Sequence, residues 1–381
     1  MIETGPKRIA PPLPDGLYAE FTTPRGVVTA ELFYTQATLM CVNFTGLAEG
    51  TLPDGRAPKV GRPFYSGLTW YRVVPGFVLQ SGNPGLKDTD DEKEPIPYHF
   101  PDNFVPGLRH DAVGTLSMAN AGPDTNSCEF FLTLADTSRL NYLHSVFGRV
   151  VRGLDVLPLI KQDDPVAIKI LRVGAAAQAF KADEATFKAL SAAAKKYADA
   201  PGPGPAGRAS ATPGPTAHFD DPDRLLPQDV PRAKNFNFKL ANFERVTGVR
   251  VVGRFFATEP PADEDKIPGA YMRALAAKLG TAKRGALVAY FAAEDDWRVW
   301  IGDESTATFF GRTPTPADLA DGAAFHDVKE AFLAAAMKAG DAEFARQQKN
   351  SPADQQPTAA QHLKLRTDAL LDRLILKLEP K

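Results

Sequence analysis

The chain has 381 residues, 44% hydrophobic and 24% charged, with a formal net charge of -2. That length accommodates two globular domains. The near-neutral balance and the lack of a dominant basic stripe argue against nucleic acid or an anionic membrane surface as a partner. Two scattered cysteines, Cys41 and Cys128, exclude a disulfide framework and a cysteine zinc site.

The N-terminal residues 1–14 read as a Pro-rich tail. They carry no apolar run of the signal-peptide kind, and no window approaches the roughly 18 consecutive apolar residues of a membrane span. The expectation is a cytoplasmic protein, or a periplasmic or exported one if a signal peptide was removed. From Gly16 the pattern is β-rich. Leu17 to Phe21 and Val27 to Phe33 read as strands around the turn signal Thr23-Pro24-Arg25-Gly26. Ala37 to Ala48 has helical spacing, with Leu39, Val42, Phe44 and Leu47 on one face and Cys41 buried on the same helix. Further strands are expected at Leu68 to Val74, Phe77 to Ser81, Gly114 to Ala119, Glu129 to Leu134, Val146 to Val151 and Ala167 to Val173. Many short strands with few helices suggest a closed antiparallel barrel, because closure removes exposed edges.

Ala175 to Ala200 is Ala/Lys-rich and helical in pattern. The stretch Pro201 to Thr216 is too rich in Pro and Gly for helix or sheet and reads as a linker. Beyond it, Asn235 to Val246, Ala270 to Leu279, Ala324 to Ala339 and Thr358 to Leu378 read as helices. Val249 to Ala257, Ala286 to Ala292 and Trp297 to Ile301 read as strands, the last two around a Glu294-Asp295-Asp296 turn. Gly280 stands where a helix-ending glycine is expected. This alternation predicts an α/β layer with helices on the sheet faces. The division is therefore tail 1–14, first domain 15–175, helix and linker 176–216, second domain 217–381.

Three segments of the first domain carry chemistry: Trp70 to Pro84 (WYRVVPGFVLQSGNP), Gly114 to Phe131 (GTLSMANAGPDTNSCEFF) and Leu140 to Val150 (LNYLHSVFGRV). In this order they resemble the cyclophilin family, and Asn43-Phe44 in the first helix fits as well. The resemblance covers residues 15–175 and rests on several separated motifs. It implies an eight-stranded antiparallel β-barrel capped by helices, and peptidyl-prolyl cis/trans isomerase activity on X-Pro bonds in peptides and in unfolded or folding proteins. No organic cofactor and no metal are implied, since isomerisation breaks no covalent bond.

Physical chemistry says what such a site must do. The peptide bond rotates over a barrier of about 18–20 kcal/mol. In the twisted transition state amide resonance is lost, the proline nitrogen gains a lone pair, and the charge separation of the planar amide falls. A fixed donor aimed at that nitrogen helps, and so does an apolar pocket that holds the ring. Arg72 is the candidate donor, always charged and with a rigid fork of N–H groups. One charge-assisted hydrogen bond of about 1.5–3 kcal/mol supplies a factor of roughly 10–100 in rate, so the pocket must supply the rest.

By resemblance, Phe77, Phe131 and Leu140 are proline-pocket residues, with Val78 where methionine is frequent. Gln80 orients the arginine and binds the substrate carbonyl. Asn120 pairs with the substrate backbone through its main chain, and Ala119 and Ala121 leave room for it. His144 is a pocket-rim histidine. The departures are Glu129 in place of the usual glutamine, Tyr71 in place of a frequent histidine, and Arg139 in place of the tryptophan linked to cyclosporin binding. A carboxylate at Glu129, counted among the substrate-binding residues, is expected to pair with Arg72 and either fix it or weaken its field. Cys128, beside this site, reads as a small filler residue with an oxidisable thiol as the lesser alternative. The loop Gly85 to Pro97, with Asp88, Asp90, Asp91, Glu92 and Glu94, reads as a solvated acidic flap.

In the second domain, Phe219 to Pro227, Phe243 to Val252, Tyr271 to Gly280, Arg284 to Tyr290 and Asp295 to Glu304 are similar to the TPM domain, which implies an α/β sandwich. Some TPM domains are described as acid phosphatases. Asp220, Asp221, Asp223, Asp303 and Glu304 are read first as turn and helix-cap carboxylates, and second as divalent-cation ligands. Two alternatives to the isomerase stand beside it: a peptide-binding scaffold or chaperone with weak catalysis because of Glu129, and a phosphatase seated in the second domain.

Overall fold

A computed structural model of the chain describes residues 11–53, 63–84, 98–199, 217–227, 232–267, 269–313, 315 and 322–380. Most of the N-terminal tail, the acidic loop 85–97 and the linker 201–216 lie outside the described residues. Two compact units are present. The first comprises Met1–Asn103, Asp111–Asp136 and Ser145–Lys195; the second comprises Phe104–His110, Thr137–His144 and Lys196–Lys381.

The first unit is built on β1 (Gly16–Thr23), β2 (Gly26–Leu32), helix α1 (Thr38–Glu49), β3 (Leu68–Thr69), β4 (Arg72–Val74), β5 (Val78–Ser81), β6 (Thr115–Met118), β7 (Phe130–Thr133), β8 (Val146–Arg152) and β9 (Pro165–Val173), followed by α2 (Ala175–Ala179) and α3 (Glu184–Asp199). The sheet order is β3-β9-β1-β2-β8-β6-β7-β5-β4, and the pairings are antiparallel. The two edge strands are neighbours in the chain, separated only by Trp70 and Tyr71. The sheet therefore curls until its ends nearly meet.

The expected closed barrel is instead a curled half-barrel with β3 and β4 as its edges, and the strand count changes too. The single strand anticipated over 68–74 is two segments, which makes nine strand segments among the described residues of this unit where eight were expected. Thr69 pairs with Pro165 on β9, whereas Arg72 pairs with Gln80 on β5. Between them Trp70 bonds through its backbone to the 163–164 turn. The strand changes partners and cannot stay in one ladder. The expected helix 175–200 also divides. Arg172 donates to the carbonyls of Ala177 and Phe180 and ends α2, and the Asp183 carboxylate accepts from the Thr186 amide and starts α3.

The core of this unit is aromatic. Phe44 packs edge-on against Phe130 with ring centroids 5.2 Å apart, and Phe21, Tyr65, Trp70 and Phe147 close round the same rings. Leu39 through Ala48 of α1 are all buried, so this helix is wrapped on every side rather than on the one face expected. Cys41 is on it, a free buried thiol.

The second unit holds β10 (Phe219–Asp220), α4 (Arg232–Thr247), β11 (Arg250–Phe256), α5 (Ala270–Lys278), β12 (Gly285–Phe291), β13 (Asp296–Ile301), α6 (Thr306–Phe310), α7 (Gly322–Asn350) and α8 (Ala359–Leu378). Its sheet runs β10-β11-β12-β13. The first three strands are parallel and the last is antiparallel. Every residue of β12 is buried, as a central strand between two helical layers requires. One layer packs Phe236, Leu240 and Phe243 of α4 with Leu370, Leu371 and Leu374 of α8 against Val251, Phe255 and Val288. The other packs Met272 and Ala276 of α5 against Val252, Leu287 and Phe291. Residue 142 of the 137–144 segment belongs to the first of these cores, where Tyr142 meets Phe243 at 5.2 Å. Strand β10 and helix α6 were missed from sequence, each being too short to show a period.

Buried charges tie the layers of this unit together. The Glu244 carboxylate on α4 accepts from Arg250 on β11 at 2.7 Å and meets His218, while Arg250 also donates to the Leu279 carbonyl at 2.8 Å. Breaking such a buried pair costs more than the pair contributes, because the surviving charge is left without a partner.

Candidate active site

The register of β4, β5, β7 and β6 sets one row of residues across the sheet. Arg72 pairs with Gln80, Gln80 with Phe131, and Phe131 with Ser117. Directly paired residues on adjacent strands point to the same face, so guanidinium, amide and aromatic ring rise side by side. The neighbours Leu79, Phe130 and Leu132 point to the other face and are fully buried in the core. Alternation alone thus assigns Phe130 to the core and Phe131 to the row.

Within the row the polar contacts run in series. Arg72 Nη1 donates to Gln80 Oε1 at 3.1 Å. Gln80 Nε2 donates to the Tyr71 hydroxyl at 2.6 Å and to Glu129 Oε2 at 3.1 Å. The Tyr71 hydroxyl donates to Glu129 Oε2 at 2.8 Å, and the Asn83 amide to Glu129 Oε1 at 3.3 Å. Burial, then the adjacent Glu129 carboxylate, pushes the Tyr71 phenol far above its ordinary value, so it remains a donor. Glu129 accepts from Tyr71, Gln80 and Asn83, with Gln80 standing between the carboxylate and Arg72. A direct Arg72–Glu129 pair, the expectation from sequence, is replaced by this relay.

Backbone constraints hold Glu129 in place. Gly82 has φ +109°, and a Cβ there would lie 2.4 Å from the Cys128 carbonyl oxygen and 2.8 Å from Glu129 Cα. Only glycine permits that approach. The Cys128 carbonyl accepts from Tyr65 Oη at 2.7 Å, and its thiol is buried, which agrees with a filler role. Asn43 on α1 donates to the Ser127 carbonyl at 2.8 Å.

The loop carrying Ala119, Asn120 and Ala121 is braced internally. The Ala119 amide donates to the Glu129 carbonyl at 2.9 Å. Asn120 Oδ1 accepts from the Gly122 amide at 3.3 Å, and Thr125 Oγ1 accepts from the Ala121 amide at 2.9 Å. Below it, Asp102 and Asp124 each accept from the other's backbone amide, and Asn126 donates to Asp102 at 2.8 Å. Ala119 is buried, Asn120 half-buried and Ala121 exposed.

Val78 is buried on β5, and half-buried Phe77 precedes it, its amide donating to the Val74 carbonyl and its carbonyl accepting from Leu134. Arg72, Phe77, Val78, Gln80, Ala119, Asn120, Ala121, Glu129 and Phe131 therefore all belong to the first unit. Leu140 and His144 belong to the 137–144 segment of the second. There Leu140 closes a 3-10 turn, and its carbonyl accepts the His144 amide at 3.1 Å. In the same segment Arg139 pairs with Glu343 at 3.7 Å. Tyr71 and Asn83 were not assigned to the site from sequence. The available signal was the joint departure of Tyr71 and Glu129 from the family pattern.

Among the described residues no group of three His, Cys, Asp or Glu side chains is placed to hold a metal ion. Asp221 accepts from the Leu225 and Leu226 amides, and Asp223 from the Ala257 amide, so both act as turn caps. Among the described residues no helix is long and apolar enough to cross a membrane.

Comparison with known proteins bears on the same segment. Residues 18–175 match the family described as cyclophilin type peptidyl-prolyl cis-trans isomerase/CLD. A peptidyl-prolyl cis-trans isomerase-like 1 of Aspergillus fumigatus is 37% identical over 164 residues, covering 40% of this chain and 91% of that protein. Peptidyl-prolyl cis-trans isomerase A of Mycobacterium tuberculosis is 39% identical over 136 residues, covering 35% of this chain and 72% of that protein. A crystal structure of a Cryptosporidium parvum cyclophilin type peptidyl-prolyl cis-trans isomerase, also solved in the presence of the dipeptide Ala-Pro, matches at 27% identity and a TM-score of 0.34, over 42% of this chain and 98% of that one. Through residues 18–175, the chain belongs to the cyclophilin-type peptidyl-prolyl cis-trans isomerase family.

Proposed function

We propose that this isomerase acts on X-Pro bonds in peptides and in folding proteins with Arg72 as the donor to the proline nitrogen. The observation that carries the reading is the row Arg72–Gln80–Phe131, which sets a fixed cation beside an aromatic surface on one face of the sheet. The ring of the substrate proline rests on Phe131, with Phe77 and Val78 as further pocket walls. Gln80 holds the guanidinium and meets the substrate carbonyl. The backbone at Asn120, flanked by Ala119 and Ala121, pairs with the extended peptide. As the amide twists, its polarity falls and the nitrogen lone pair appears. An apolar wall then favours the twisted form, and Arg72 donates to the new lone pair. Stabilisation is confined to the transition state, which is where it raises the rate.

A protease-coupled proline-peptide assay on the full chain tests this. Arg72→Ala is expected to lose at least about tenfold in rate, the share of one charge-assisted bond, with an unchanged circular dichroism spectrum. Full activity in that variant would remove Arg72 from the mechanism.

For the second unit the reading remains a TPM-like domain, supported by its motifs and by a mixed sheet with helices on both faces. Its carboxylates at Asp221 and Asp223 are engaged as turn caps, which favours a role in placing the isomerase near its clients over phosphatase chemistry.

A further inference from the structure

The side chains around Gln80 form a chain of donors and acceptors with one consistent direction. Arginine can only donate and a carboxylate can only accept. Gln80 stands between one of each: its Oε1 accepts from Arg72 at 3.1 Å and its Nε2 donates to Glu129 at 3.1 Å. Turning that amide over would set donor against donor at Arg72 and acceptor against acceptor at Glu129. The carboxylate is itself held on both oxygens, by the Tyr71 hydroxyl at 2.8 Å and the Asn83 amide at 3.3 Å. Tyr71 is 2% exposed, and its hydroxyl also accepts from Gln80 Nε2, so it repeats the same proton order. A glutamine at position 129 would present both a donor and an acceptor, so the constraint on Gln80 from that side would be lost and only Arg72 would favour one orientation.

We infer that Glu129 is a positioning residue that locks the Gln80 amide carbonyl towards Arg72 and so aims the guanidinium, with Tyr71 as its brace. The inference rests on the isomerase reading of Arg72 and deepens it, assigning Glu129 to the orientation of the donor rather than to contact with substrate. The joint departure of Tyr71 and Glu129 from the family's frequent histidine and glutamine follows from it. A buried phenol needs an acceptor, and a carboxylate beside an isomerase donor needs neutral groups to hold it. Losing the lock leaves the apolar pocket intact, so the effect falls on kcat and spares KM.

The test is a kcat and KM series on the full chain with a proline tetrapeptide, over Glu129→Gln, Tyr71→Phe and Arg72→Ala. Glu129→Gln is expected to lower kcat about three- to tenfold with KM within about twofold of wild type. Tyr71→Phe is expected to lower kcat about two- to fivefold. An unchanged kcat in Glu129→Gln overturns the inference, as does a loss that falls on KM rather than kcat. If Glu129→Gln does not fold, Tyr71→Phe decides alone, and an unchanged kcat there overturns it. Arg72→Ala separates the two levels. Full activity in that variant sinks the isomerase role of Arg72, whereas a loss there beside a fully active Glu129→Gln sinks only the positioning role.

Discussion

Arg72 and Gln80 face each other across the β4–β5 pair, with the guanidinium joined to the amide carbonyl at 3.1 Å. A point charge on a flexible stem does not replace this geometry, because the planar guanidinium gives one N–H to the amide while holding its other donors in fixed directions. Arg72→Lys is therefore expected to retain the charge yet lose at least about tenfold in kcat. Gln80→Leu, which removes the acceptor at similar volume, is expected to lose about five- to twentyfold. Stopped-flow isomerisation of a proline tetrapeptide measures both. Wild-type rates in Gln80→Leu would mean that Arg72 is aimed by another group.

Phe130 and Phe131 are consecutive and both nearly inaccessible, yet alternation sends them to opposite faces. Phe130 meets Phe21, Phe44, Tyr65 and Trp70 in the core. Phe130→Ala is expected to cost about 3–5 kcal/mol of stability, the usual loss for a buried aromatic truncated to alanine. Phe131→Ala should instead show itself in catalysis, with kcat/KM at least about tenfold lower through loss of the ring surface and a smaller shift in the urea midpoint. Equal destabilisation of the two variants would assign Phe131 to the core.

Gly82 is the point where β5 leaves the sheet beside Glu129. Its φ of +109° and the 2.4 Å approach to the Cys128 carbonyl oxygen leave no place for a methyl group. Gly82→Ala is expected to destabilise by about 1–3 kcal/mol through backbone strain, and to lower kcat as the Glu129 backbone moves. Urea unfolding and the peptide assay on one preparation check both, and a neutral substitution would contradict the strain argument.

In the second unit His110 is fully buried, its ring Nδ1 lying 3.1 Å from Asn141 Oδ1. Burial, with a smaller contribution from His144, lowers its pKa from 6.5 to about 3. The native state thus keeps this imidazole neutral where the unfolded chain binds a proton. The stabilisation is complete above pH 6.5 and is lost as pH falls from 6.5 towards 3, at up to about 1.4 kcal/mol per pH unit. Burial moves His218 in the same direction. Between pH 7 and pH 5 the wild type is expected to lose about 2 kcal/mol or more, and His110→Gln distinctly less. Denaturant midpoints across that range give the slopes, and identical slopes would refute the neutral buried imidazole.

Local signals carried much of this molecule. The turn at Thr23 to Gly26, the strands on either side of it and the helix-ending Gly280 are legible because each involves neighbours in sequence. The resemblance of two separated motifs to the cyclophilin family likewise assigned Arg72, Gln80 and Phe131 to one expected site. Long-range partners decided the rest. Trp70 is drawn to the 163–164 turn and so breaks a strand that reads as continuous. Arg172 reaches the carbonyls of Ala177 and Phe180 and ends a helix whose composition would extend it. Glu129 looked like a partner for Arg72 because opposite charges attract. The folded chain instead surrounds it with Tyr71, Gln80 and Asn83, 58, 49 and 46 residues away. A sequence states which groups can donate and accept; only the curled sheet, by fixing who stands beside whom, settles which of those bonds are made.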